Sequence, residues 1–256
     1  MIDLNDVCGL PVQFDSDNST FILSPELECE GEYKVKLSEI VPVLLNKYLK
    51  YPEVVYTHRR NITFKGFDTE GVSYDLMHIP FGLLGIEYMK THVYYSDENP
   101  GKYDCIVEVL QGELTAIMQK NQEKEDEWQF DTGVEDLSIL ILRKGHKLAI
   151  PSGYFYTFVN TGSVPLIISK VSAIHKKSTI DYNILKREKG LACYIISKNA
   201  KIETVANPKY RVPSKLKATG IGTFIDKKSQ DESQKQIFKT KDPLAKMMTK
   251  VRSFVL

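Results

Sequence analysis

Residues Gly85–Lys120 read GIEYMKTHVYYSDENPGKYDCIVEVLQGELTAIMQK, and Lys144–Lys170 answer with KGHKLAIPSGYFYTFVNTGSVPLIISK. Each is a series of short runs in which apolar and polar residues alternate, broken by Gly, Pro, Asn and Ser. Alternation with period two marks half-buried strands, and the breaks mark turns. Two such halves predict a small antiparallel barrel.

The same pattern extends outward. VVYTHRR and VSYDLMHIPF precede the first half, and LSILILRKG lies between the two. Eight or more strands with turns about every 8–12 residues predict an all-β barrel or sandwich. No βαβ alternation is present, which excludes a Rossmann-type sheet. Upstream, residues 1–35 carry turn formers and little periodicity, so an irregular arm packing over the barrel is expected. Leu37–Tyr48 place Ile40, Val41, Leu44, Leu45 and Tyr48 on one helical face, predicting a helix over about 38–49, with Pro42 in its first turn. The intended divisions are an arm and helix over 1–52, a barrel over 53–175, a mixed segment over 176–218 and a tail over 219–256. Within the mixed segment, 178–190 reads as a short helix and 192–210 as a hairpin. The tail is polar and Lys/Gln-rich until DPLAKMMTKVRSFVL, whose Leu244, Met247, Met248, Val251 and Val255 form an apolar stripe. That helix either docks on the protein or meets a partner or membrane surface.

Composition bounds the function. A chain of 256 residues with 42% hydrophobic and 26% charged residues suits a globular protein with one main core. A net charge of +1 gives no reason to expect a nucleic-acid partner. No stretch approaches the roughly 20 apolar residues of a membrane helix, and the first residues lack signal-peptide character. A cytoplasmic protein is expected. Cys8, Cys29, Cys105 and Cys193 are too far apart for zinc spacing and read as reduced thiols. The run at 121–127 reads as a solvated turn.

Strand alternation assigns faces. Tyr88, Lys90, His92, Tyr94 and Ser96 share one face. Cys105, Val107 and Val109 share another, as do Tyr154, Tyr156 and Phe158.

PFGLLGIEYMKTHVYY, EVLQGELTAIMQ and AIPSGYFYTFVNTGSVPLIISKV together resemble the cupin superfamily, and within it the cupin-type glucose-6-phosphate isomerases. KGLACYIISKNAKIETVANPKY is similar to that family's closing segment, and the likeness spans about residues 50–216. It implies a double-stranded β-helix (jelly-roll) barrel, a homodimer, a sugar-phosphate substrate and a divalent metal on three histidines and a glutamate. Laid onto this chain without gaps, the ligand positions fall on Tyr94, Ser96, Cys105 and Tyr156. Neutral Tyr and Ser are poor ligands where imidazole and carboxylate are needed, so no metal cofactor is expected. The alternative is a weak divalent site built on His92 and Cys105. The likeness also implies substrate contacts from Tyr56 and Thr91.

Metal-free candidates for aldose–ketose isomerisation are His92 as base, Lys90 as electrophile, and Tyr94 or Tyr156 as acid. Tyr56, Thr91, Cys105 and Tyr154 complete a candidate substrate-binding lining. Either a polar ligand occupies this lumen, such as a phosphorylated sugar, or tyrosine rings fill it. His58, His78, His146 and His175 read as surface or packing residues. Three functions stay open: an isomerase-like enzyme, a non-catalytic binding or scaffolding cupin, and an interaction protein working through its tail.

Overall fold

The computed structural model describes residues 1–67, 72–95, 103–122, 133–173 and 190–211. The barrel is two antiparallel sheets. The larger runs Lys147–Pro151, Tyr103–Gln111, Leu166–Ala173, Val72–Ile79, Val54–Arg60 and Gly31–Lys36 in spatial order. The smaller runs Tyr94–Tyr95, Phe155–Asn160, Glu113–Asn121 and Val134–Arg143. Neighbours in the larger sheet are far apart in sequence, as in a jelly roll rather than a meander. This is the all-β barrel that the alternation and turns predict, in the cupin form that the family resemblance implies.

Alternation explains why the sheets meet. Tyr56 and Met77, Val107 and Ile168 from one sheet join Ala116, Met118, Tyr156 and Phe158 from the other in a single buried cluster. The opposite face of the larger sheet is also buried. Tyr74, Leu76, Ile167 and Val171 pack there against Leu4, Leu10, Phe14 and Phe21. The first 35 residues pack over the barrel as expected of the arm, but they are not irregular. Ile2–Asp3, Val12–Asp15 and Thr20–Leu23 form a three-stranded sheet. Its strands are too short to show a period, but their apolar residues cover the barrel's outer wall.

The helix expected over 38–49 is shorter. Leu37–Ile40 form one turn, and Val41–Val43 continue as a 3₁₀ turn. In an α-helix beginning at residue 37, Pro42 would sit in the second turn, where it has no N–H to give. Leu45 and Tyr48 are consequently exposed rather than aligned with Ile40 and Leu44 on a buried face. The predicted hairpin is present as Cys193–Lys198 and Lys201–Ala206, and it joins Glu87–Tyr88 and Leu83–Leu84 in a third sheet. The segments over 178–189, 123–130 and 219–256 lie outside the described residues.

Gly112 turns Tyr103–Gln111 into Glu113–Asn121 at φ +84°, and a Cβ there would lie 2.8 Å from the Pro165 carbonyl oxygen. Backbone cannot yield as a side-chain tip can. Gly112→Ala is expected to lose about 2–3 kcal/mol from combined strain and clash. Urea unfolding would measure it; a loss below about 0.5 kcal/mol would contradict the close approach.

Candidate functional site in the barrel lumen

The GIEYMKTHVYY stretch is not one strand. Glu87–Tyr88 belong to the third sheet, and Tyr94–Tyr95 to the smaller barrel sheet. Residues 89–91 already pair with Phe155–Asn160, with Lys90 bridging Val159, but the register shifts before Tyr94 meets Tyr156, so simple alternation fails there. Lys90 and His92 accordingly have different surroundings. The Lys90 ammonium donates to Glu87 Oε1 at 2.6 Å and to the Val43 carbonyl at 3.2 Å, and it lies 5.5 Å from the Tyr194 ring centre. His92 instead packs against Tyr94 and is hydrogen-bonded through Nδ1 to the Tyr56 hydroxyl.

The remaining lumen residues do converge. Tyr94 stands directly opposite Tyr156 in the strand register, and the rings stack at 5.3 Å. The hydroxyls of Tyr56 and Tyr94 lie 3.2 Å apart. Cys105 donates its S–H to Tyr156 Oη at 3.5 Å, and Tyr156 donates to Asp104 Oδ2 at 2.6 Å. Asp104 and Cys105 are sequence neighbours, yet both approach Tyr156. The register of Tyr103–Gln111 against Lys147–Pro151 shifts between Tyr103 and Cys105, and such a bulge re-aims side chains. The face assignment for CIVEVL had no means of including Asp104.

Thr91 is fully buried. Its hydroxyl donates to the His92 carbonyl at 2.8 Å, accepts from Phe158 N–H at 3.2 Å and lies 3.2 Å from the Thr157 hydroxyl. Tyr154 points elsewhere, donating to Asp136 Oδ2 at 3.1 Å.

Two more lumen residues escaped sequence reasoning. Asp75 accepts from Asn61 N–H at 2.9 Å and from the Ser73 hydroxyl at 2.5 Å, and pairs with His58 Nε2 at 3.0 Å. Lys170 pairs in register with Asp75 on the neighbouring strand, and its ammonium lies 5.0 Å from the Tyr94 ring centre. The available signal was a charge inside an apolar run: Asp75 in SYDLM and Lys170 in IISKV. Charges in such runs are paired or functional more often than they are accidental.

Burial sets the electrostatics. It pushes the Cys105 thiol up to about 12, with the Asp104 charge adding to the effect. The Tyr156 phenol is raised well above its ordinary value, first by burial and then by Cys105 and Asp104. Burial lowers His92 to about 4, and the Lys170 and His58 charges push the same way. Burial alone would raise Asp75, but the hydrogen bond and charge of His58, with Lys170, hold it at about 2.

These donors do not fit the metal centre that the family resemblance implies. Tyr94, Cys105 and Tyr156, onto which the resemblance lays three of the ligand positions, lie together in the lumen. However, the thiol and the Tyr156 phenol hold their protons, and the Nδ1 of His92 is engaged by Tyr56. Among the described residues, no group of three or more His, Cys, Asp or Glu side chains could hold a metal ion. No helix of the described residues is long and apolar enough to cross a membrane.

Residues 47–211 match the family model "Glucose-6-phosphate isomerase (GPI)". The chain belongs to the glucose-6-phosphate isomerase family. The match spans the barrel apart from its edge strand Gly31–Lys36, together with the closing hairpin, and stops short of the N-terminal sheet. Among curated proteins, none matches this GPI-family chain. Solved structures similar to it include the Drosophila melanogaster CENP-C cupin domain, at 13% identity and a TM-score of 0.28, covering 45% of this chain and 69% of that one. The Schizosaccharomyces pombe Cnp3 cupin domain aligns at 13% identity and a TM-score of 0.30, covering 50% and 69%. An oxalate oxidase bound to glycolate aligns at 17% identity and a TM-score of 0.30, covering 44% and 48%. Superpositions this loose add no argument about the GPI-family member's chemistry.

Proposed function

We propose that this GPI-family cupin is non-catalytic, and that its barrel serves as a binding or scaffolding unit. The observation that carries this reading is the internal use of the lumen's reactive groups. Isomerisation needs a base beside the substrate's α-carbon and an electrophile at its oxygens. His92, held near 4, is a weak base. Lys90, the candidate electrophile, is bound to Glu87 and Val43. Tyr156, the candidate acid, holds its proton more tightly than a free phenol and gives its hydrogen bond to Asp104. The rings of His92, Tyr94, Tyr156 and Phe158 follow one another at centroid separations of 4.2, 5.3 and 5.4 Å, so they fill space that a substrate would need.

A coupled assay converting glucose 6-phosphate to fructose 6-phosphate, run beside metal analysis of the purified protein, tests this. The expected result is turnover at the no-enzyme background. Stoichiometric iron, manganese or zinc together with turnover abolished by a chelator would overturn it.

One observation favours a second reading, phosphosugar binding without turnover. Lys170 is half-buried against Tyr94, and among the described residues no carboxylate lies within ion-pair distance of it. A cation so placed suits an anionic ligand. Raising glucose 6-phosphate to millimolar concentration should then raise Tm in the wild type and not in Lys170→Ala. Equal shifts in both proteins would remove Lys170 from the reading.

A further inference from the structure

Six of the twelve large apolar side chains exposed among the described residues come from two short segments: Leu45, Tyr48 and Tyr51, and Phe81, Leu83 and Ile86. The segments touch. A Cβ on Gly85 would lie 3.4 Å from Leu49, and Leu45 N–H donates to Glu87 at 2.6 Å. Leu49 also lines a surface cavity of about 400 Å³, together with Lys47, Lys50 and Lys36. Concentrated exposed apolar area of this kind marks an interaction site.

The charge on this surface is mainly basic: the cavity is lined by Lys36, Lys47 and Lys50 against one acid, Glu53, which is paired with Lys36. Residues 44–52 and 80–90 expose Lys47 and Lys50, while their only acid, Glu87, is buried and paired with Lys90. Glu53, on the cavity rim, is paired with the Lys36 ammonium at 3.5 Å, and Glu39 accepts from the Lys36 backbone N–H at 2.7 Å. The backbone adds a third feature, because Leu83–Leu84 is the outer strand of its sheet. An outer strand can accept an extended peptide by strand addition.

From these features we infer that this surface docks an acidic segment of a partner protein, one that also carries apolar side chains. Acidic residues meet Lys47 and Lys50, and apolar ones meet Tyr48, Phe81 and Leu83. An anionic membrane would also attract lysines and aromatic rings. The concave cavity and the outer strand favour a peptide, which can enter one and pair with the other. The surface lies outside the lumen, so its test and the turnover assay succeed or fail separately.

The test is selection of a random-peptide phage library on the whole protein, counter-selected on the Lys47→Glu/Lys50→Glu variant. Enriched sequences should combine Asp or Glu with apolar residues. A synthetic peptide from that pool should lose about tenfold or more in affinity for the lysine variant and for Tyr48→Ser/Phe81→Ser. All four positions are exposed, and unchanged circular dichroism and Tm would confirm that the variants fold. No enrichment, enrichment without acidic bias, or equal affinity for both variants overturns the proposal. Two further outcomes do so by reassigning the surface. One is sedimentation with phosphatidylserine vesicles that the variants lose; the other is a wild-type dimer in light scattering that the variants lose.

Discussion

Lowering the pH from 7 to 4 is expected to remove on the order of 5 kcal/mol of folding stability, enough to unfold an ordinary domain. The source is two histidines held neutral by burial. His78 and His92 both lie at about 4 in the folded protein, against 6.5 for a free imidazole. The folded value is the lower one, so the fold favours the neutral ring. That contribution is complete above 6.5 and is lost as the pH falls through about 4. Each ring adds about 1 kcal/mol per pH unit across the window. Asp75 does not blur the result: its carboxyl is held at about 2 against 3.8, so its contribution is lost only below the histidine window. Urea unfolding followed by circular dichroism between pH 7 and 4 measures the slope. His78→Leu should remove about half of it. The His78 ring packs 4.4 Å from Phe14 and its buried Nδ1 has no hydrogen-bond partner among the described residues, so an apolar replacement suits the site. A flat profile, or an unchanged slope in His78→Leu, would contradict this account.

Lys90→Met is expected to cost about 3–5 kcal/mol at neutral pH. Glu87 is 1% exposed and Lys90 is 7% exposed. The pair is closed on both sides, with Leu45 N–H on the carboxylate and the Val43 carbonyl on the ammonium. Removing one partner leaves a buried charge uncompensated, whereas removing both leaves none. The double variant Glu87→Gln/Lys90→Met should therefore be more stable than Lys90→Met alone. Additive losses in the double-mutant cycle would show that the two side chains act independently, contrary to the geometry.

The barrel was legible because a strand buried on one face writes its period directly into the sequence. VVYTHRR, VSYDLMHI, ELTAIMQK and LIISKVSA all lie in strands. The site was less legible for two local reasons. The face shared by Lys90 and His92 assumed an unbroken register, but the pairing with Phe155–Asn160 shifts between the Lys90 bridge to Val159 and the Tyr94 pair with Tyr156. Asp104 was missed because a register shift brings it to Tyr156 beside Cys105. Neither event changes composition or hydrophobicity, so neither leaves a periodic trace. The N-terminal sheet was missed for the opposite reason: strands of two to four residues are too short to display a period at all.

The Val43 carbonyl receives the Lys90 ammonium, and it sits where a side chain on Gly190 would come within 2.7 Å. Val43 precedes residue 47, where the family match begins. A fragment trimmed to the family boundary would thus discard an acceptor for Lys90 and the Leu45 N–H bound to Glu87. The evolutionary unit and the folding unit of this protein have different left-hand edges, and any excised barrel must begin upstream of Val43 to stand alone.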